Sequence, residues 1–279
     1  MIDHGARRAT VGPLLFAKDR PAVRLSIEAF LDYGFPAAAD VLLQVEVAAL
    51  PEQRLEAQSL VIESDHPIRA VAGEDGIGQR CWARGERRLV ARYAAAVTIA
   101  RATAPVASLP PTPVTALPAA TIPYLLPSRY CESDRFDNFV RRTFADLRGG
   151  ALAVALAEWV RRNLDYGPTA IGGGALHTFA ERRGVCRDYA HLLVALARAA
   201  EIPARCVAVY APGVDPPDFH AVAQVWLDGA WHLLDATGMA RPDEMAVVAV
   251  GRDATDIAFM TIFGTAVLWA QQVRVTRLP

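Results

Sequence analysis

The chain has 279 residues, 53% of them hydrophobic and 21% charged, with a formal net charge of −1. That balance belongs to a globular chain with room for two domains, not to a disordered one. A near-neutral charge gives no support to nucleic acid or an anionic membrane as the main partner.

The first twenty residues, MIDHGARRATVGPLLFAKDR, are partly basic but lack the apolar run of about 7–15 residues of a secretory signal. No segment offers the about 18 uninterrupted apolar residues of a membrane span. A cytoplasmic location is the expectation. Of the four cysteines, Cys81, Cys131, Cys186 and Cys206, none falls in a CxxC pair or at zinc-ligand spacing. The expectation for an unremarkable cysteine is a buried, inert thiol.

Residues 1–104 read as a β-sandwich-like domain. VRLSIEAFL sets Val23, Leu25, Ile27 and Ala29 against Arg24, Ser26 and Glu28; Val41, Leu43, Val45 and Val47 repeat the pattern. Leu89, Ala91, Tyr93, Ala95, Val97 and Ile99 do the same. A period of two predicts half-buried strands, and strands without helices between them predict packed sheets. His66, before Pro67, reads as a loop residue.

Residues 105–126 carry Pro105, Pro110, Pro111, Pro113, Pro118 and Pro123. Proline fixes φ and removes amide donors, so an extended, semi-rigid linker is predicted. From 127 to 279 the pattern predicts an α+β domain. SDRFDNFVRRTFADLRGG reads as a helix stopped by Gly149, followed by helices in ALAVALAEWVRRNL, ALHTFAERR and CRDYAHLLVALARAAE. ARCVAVYA, the hairpin HAVAQVWLDGAWHLLDAT, EMAVVAV, IAFMTIF and AVLWAQQVRV read as strands.

RRGVCRDYAHLL puts Cys186 at a helix start, where unpaired amides and the helix dipole favour a thiolate. Gly184 reads as the residue that permits a tight turn there. If Asp228-Gly229 are the central turn residues of the hairpin, Trp226 pairs with Trp231 and Val222 with Asp235. His220 then shares a face with Asp235 as its diagonal neighbour, about 7–8 Å away at Cα. Alone, His220 could be a hydrogen-bonded loop histidine and Asp235 a turn or capping aspartate. Joined to a helix-start cysteine, they make a candidate Cys–His–Asp set.

Other polar residues read as structural. Asp188 is a first-turn dipole or capping group, His191 a structural hydrogen-bonding residue, and His177 belongs to a separate short helix. His232 pairs with Val225 and shares no face with His220. Trp226 and Trp231 read as cross-strand packing. AIGGGAL holds glycines but no phosphate-binding lysine, so nucleotide binding lacks support.

GVCRDYAHLLVALARAAEIPARCVAVY and FHAVAQVWLDGAWHLLDAT resemble the transglutaminase-like cysteine enzyme superfamily. YLLPSRYCESDRF and VGRDATDIAFMTIFG are similar to flanking segments of its bacterial members, including cysteine-protease-like chains with an N-terminal β domain. The resemblance implies a C-terminal papain-like or transglutaminase-like domain, with helices packed on an antiparallel sheet. It implies Cys186 as nucleophile, His220 as base then acid, and Asp235 as the orienting residue. Many relatives carry an aromatic residue shortly after the histidine; here the run is His-Ala-Val-Ala-Gln, which affects the pocket wall rather than the triad. The Cys186 amide is the expected oxyanion donor. Tyr166 is a candidate second donor, with packing as its alternative.

The expected activity is acyl transfer from amide bonds through a thioester, by protease, amidase or transglutaminase chemistry. The expected partner is a protein or peptide substrate, with or without an amine acceptor. No cofactor or metal is expected. The loop 211–219 is expected to form a cleft rim. Two other readings are an acyl-CoA-dependent amine acyltransferase, as in arylamine acetyltransferases, and a non-catalytic binding or scaffold module.

Overall fold

The computed structural model describes residues 22–64, 66–169 and 173–279. The leader reading of residues 1–20 and part of the AIGGGAL glycine cluster lie outside the described residues.

The first strands follow their apolar alternation. They are β1 (Val23–Gly34), β2 (Ala39–Leu43), β3 (Gln53–Glu63), β4 (Arg69–Ala72), β5 (Gln79–Gly85) and β6 (Arg88–Ile99). Leu25, Ile27, Ala29 and Leu31 of β1 are buried, as is the row from Leu89 to Ile99 of β6. Val45 and Val47 are buried too, but β2 stops at Leu43. Beyond it the backbone amides of Gln44 and Ala48 donate to Phe259 and Val247, in the C-terminal half.

The proline-rich stretch is docked rather than extended. It folds into short 3-10 turns at Val106–Ser108, Val114–Ala116 and Ala119–Tyr124, with Thr121 and Tyr124 buried. The Tyr124 hydroxyl donates to Asp75 at 2.6 Å, and its ring meets Trp231 edge-on.

The first predicted helix is shorter than its pattern, a 3-10 turn at Ser133–Arg135 and then α1 (Asp137–Thr143). Gly149 does not stop it; it opens α2 (Gly149–Asn163) with φ +54°. A side chain there would meet the Pro111 nitrogen at 2.7 Å and the Leu109 oxygen at 2.8 Å, so glycine lets the docked stretch press against α2.

Next come β7 (Asp165–Tyr166), α3 (Ala175–Glu181), β8 (Arg183–Gly184) and α4 (Cys186–Ala199). They are followed by β9 (Ala204–Tyr210), β10 (His220–Leu227), β11 (Ala230–Leu234), β12 (Ala246–Gly251), α5 (Ala254–Ile257), β13 (Met260–Phe263) and β14 (Val267–Leu278). One antiparallel sheet runs β11-β10-β9-β12. Helix α4 lies on it, burying Leu192, Leu193, Leu196 and Ala197. This is a mixed α and β architecture with antiparallel sheets and few helices.

The expected boundary at residue 127 does not divide the strands. The two sheets of the N-terminal half run β14-β1-β6-β3 and β13-β2-β5-β4, so each takes a strand from the C-terminal end. The β1–β14 ladder extends from Arg24↔Leu278 to Gly34↔Val267. Alternation identifies a strand but not its partner, which is why β13 and β14 read as part of the second domain. Among the described residues no helix is long and apolar enough to cross a membrane.

Candidate active site

The hairpin sets the geometry. Asp228 and Gly229 both take positive φ, 48° and 76°, as a two-residue hairpin turn requires. The register is Leu227↔Ala230, Trp226↔Trp231, Val225↔His232 and Ala223↔Leu234. Asp235 lies just past the end of β11, and His220 opens β10 opposite Val209 of β9. The diagonal closes: His220 Nε2 and Asp235 Oδ2 are 3.0 Å apart, with both side chains almost fully buried.

The carboxylate is held from behind. Asp235 Oδ1 accepts from the Thr237 amide at 2.8 Å and from its hydroxyl at 2.7 Å; Oδ2 also accepts from the Ala240 amide at 2.9 Å. Sequence reasoning missed both residues. The Asp-Ala-Thr spacing carries a signal for Thr237, since aspartate side chains bond backbone two residues on. Burial works against the Asp235 charge, but these bonds and His220 hold its pKa below the usual carboxylate value.

Cys186 begins α4. Asp188 Oδ2 accepts the Val185 amide at 3.0 Å, which ties off the entry to the helix. Of the four cysteines, Cys186 alone is not buried. Its sulfur lies 3.9 Å from the Phe219 carbonyl oxygen, next to His220 in the chain. With Nε2 taken by Asp235, His220 Nδ1 is buried without a hydrogen-bond partner. Burial depresses the imidazole pKa, yet the Asp235 and Cys186 side chains outweigh it and raise the pKa to about 9. Cys186, His220 and Asp235 are therefore brought together.

Tyr166 joins them by a second route. The parallel pair β7–β8 sets Tyr166 beside Gly184, two residues before Cys186. The phenol lies against the Cys186 amide and sulfur; burial, then the Cys186 charge, raises its pKa to about 12. Gly184 is needed for close packing rather than for a turn, because a side chain there would meet Asp188 Cβ at 2.6 Å. Phe219 stacks on Phe259 with ring centroids 4.3 Å apart, a contact that sequence reasoning missed.

The residues read as structural have these settings. His191 Nε2 accepts the Ala254 amide at 3.0 Å, and burial lowers its pKa to about 4. His232 Nε2 lies 3.1 Å from the Leu227 carbonyl, His177 sits on α3, and His66 bonds Glu86. Trp226 and Trp231 meet at 5.4 Å and 75°. Cys131, His191 and Cys206 converge, with ligand-type atoms within 4.8 Å of one another. The donor set does not fit a cation as it stands. Nε2 accepts an amide proton, so the neutral ring carries its own proton on Nδ1. Contact with Cys131 and burial also push the Cys206 thiol well up, toward its protonated form.

A family model described as the transglutaminase-like superfamily matches residues 138–236, a span that includes Cys186, His220 and Asp235. The chain carries a transglutaminase-like core. It is similar to the crystal structure of a "Putative Cysteine Protease" from Cytophaga hutchinsonii, with 29% identity and a TM-score of 0.87 over 93% of this chain and 92% of that one. That match extends the likeness of the transglutaminase-like core to the N-terminal and C-terminal strands around it. "Uncharacterized protein ML0607" of Mycobacterium leprae (strain TN) is 36% identical over 115 residues, 38% of this chain. The chain thus spans about two fifths, 41%, of that relative's length.

Proposed function

We propose that this transglutaminase-like chain performs cysteine-dependent acyl transfer on amide bonds of proteins or peptides. The observation that carries the reading is the 3.0 Å His220–Asp235 bond, buried beside a cysteine at a helix start. In this mechanism the Cys186 thiolate attacks an amide carbonyl carbon and a C–S bond forms. The carbonyl oxygen takes the displaced electron pair. The Cys186 amide and the Tyr166 hydroxyl serve as its donors, Tyr166 remaining a neutral phenol because its pKa is raised. The imidazolium of His220 then protonates the leaving nitrogen, the C–N bond breaks, and a thioester remains. Asp235 stabilises that imidazolium and fixes which ring nitrogen faces the sulfur.

His220 next removes a proton from water or from an amine, which attacks the thioester and releases the cysteine. Water gives protease or amidase chemistry; a primary amine gives transglutamination. We favour hydrolysis, by likeness to the Cytophaga hutchinsonii chain. We read the two N-terminal sheets as a β-sandwich that walls the cleft, and the cytoplasm as the compartment, because it keeps Cys186 reduced.

The test is turnover of peptide amides, with and without a primary amine, by the wild type and by Cys186→Ala. The variant is expected to lose at least about a thousandfold in rate while keeping its melting temperature. Mass spectrometry of the wild type is expected to find the acyl group on Cys186. Equal turnover by the variant overturns the reading. So does the absence of any acyl adduct on Cys186 across the peptide amides, which would point to a scaffold module.

A further inference from the structure

A groove of about 760 Å³ lies between the sheet β14-β1-β6-β3 and the loop 211–218. Phe30, Ser59 and Ala94 line its sheet wall; Ala211, Val214 and Asp218 line its loop wall. Asp218 stands where the groove meets the site. It is two residues before His220, and its neighbour Phe219 supplies the carbonyl that faces the Cys186 sulfur. Its Oδ1 accepts from Gln271 of β14 at 2.5 Å, which joins the loop to the sheet.

The groove's lining sets Glu28 and Asp218 against Arg92 and Arg274. Arg92 pairs with Glu63, and Glu28 lies directly across the ladder from Arg274. The loop carries Asp215 and Asp218 and no basic residue between Tyr210 and His220. Among the described residues neither aspartate has an ion-pair partner. Asp218 is exposed, and its charge acts on the phenols of both Tyr33 and Tyr166.

We propose that the groove holds an extended peptide leading to the Cys186–His220 pair, and that Asp218 selects a lysine or arginine side chain in it. A sheet face on one side and a loop on the other suit an extended chain, and an unpaired carboxylate suits a cation. The proposal rests on the reading of Cys186 as an amide-attacking nucleophile, but its test does not require turnover.

Fluorescein-labelled octapeptides, identical except for a central lysine, norleucine or glutamate, are titrated into Cys186→Ala protein. At low salt the lysine peptide is expected to bind about three- to fivefold more tightly than the norleucine peptide, and the glutamate peptide more weakly. The preference is expected to shrink at high salt, vanish in Asp218→Asn and return in Asp218→Glu. Ala94→Trp, an exposed change that fills the groove, is expected to weaken all three peptides. Its melting temperature serves as the folding control. Equal binding of the three peptides, a lysine preference that survives Asp218→Asn, or indifference to Ala94→Trp in the folded protein overturns the proposal. Selective binding with no product and no acyl adduct on the wild type would instead sink the nucleophile reading and leave the groove assignment standing.

Discussion

His220 is the residue on which pH acts most directly. Its folded pKa, about 9, lies above the ordinary value of 6.5. The native state therefore binds the proton more tightly than the unfolded chain does. The stability this adds is fully present below about pH 6.5 and is lost as pH rises through about 9. It is on the order of a few kcal/mol. Urea denaturation across that window is expected to show the decline, and Asp235→Asn is expected to flatten it. With Asp235 neutralised, burial dominates, and NMR titration of the ring should find the His220 pKa well below 9. Turnover in that variant is expected to fall by about a thousandfold, because nothing then fixes the tautomer. A His220 that titrates unchanged in Asp235→Asn would contradict the assigned partnership.

Among the elements, α4 and the hairpin do most to build the site. Asp188→Ala removes the carboxylate that accepts the Val185 amide at the start of α4. It is expected to cost about 1–2 kcal/mol in urea denaturation. Turnover should fall as well, since the same turn holds the Cys186 sulfur. Gly149→Ala places a side chain at positive φ against the Pro111 and Leu109 backbone. It is expected to lower stability by at least about 1–3 kcal/mol, without moving the site. The hairpin register was legible because Asp-Gly admits a two-residue turn, and the period of two then fixes every face. The position of Cys186 was legible from its helical pattern. The 3-10 turns of residues 106–124 were not, because many prolines suggest extension and give no sign of the surface they dock on. Tyr166 was legible only as a candidate, since a two-residue strand has no periodicity to read.

At the scale of the whole molecule, the N-terminal sheets depend on residues 260–278. β14 is a full-length partner of β1 and forms an edge of its sheet; β13 does the same for β2. A chain ending at residue 258 exposes both ladders. It is expected to lose cooperative unfolding and become sensitive to proteolysis in residues 23–99, even though those residues are intact. Retention of the parent melting profile would contradict this. The long-range pairing could not be read from alternation alone, because β14 shows the same pattern whichever sheet receives it.

That pairing also sets an order of events during synthesis. A ribosome makes β1 about 240 residues before β14, so β1 emerges with one flank unmet and waits until β14 has been made. The groove wall contributed by Gln271 and its neighbours is absent for all of that time. If those residues help to seat a substrate, the groove is not complete until β14 has been made.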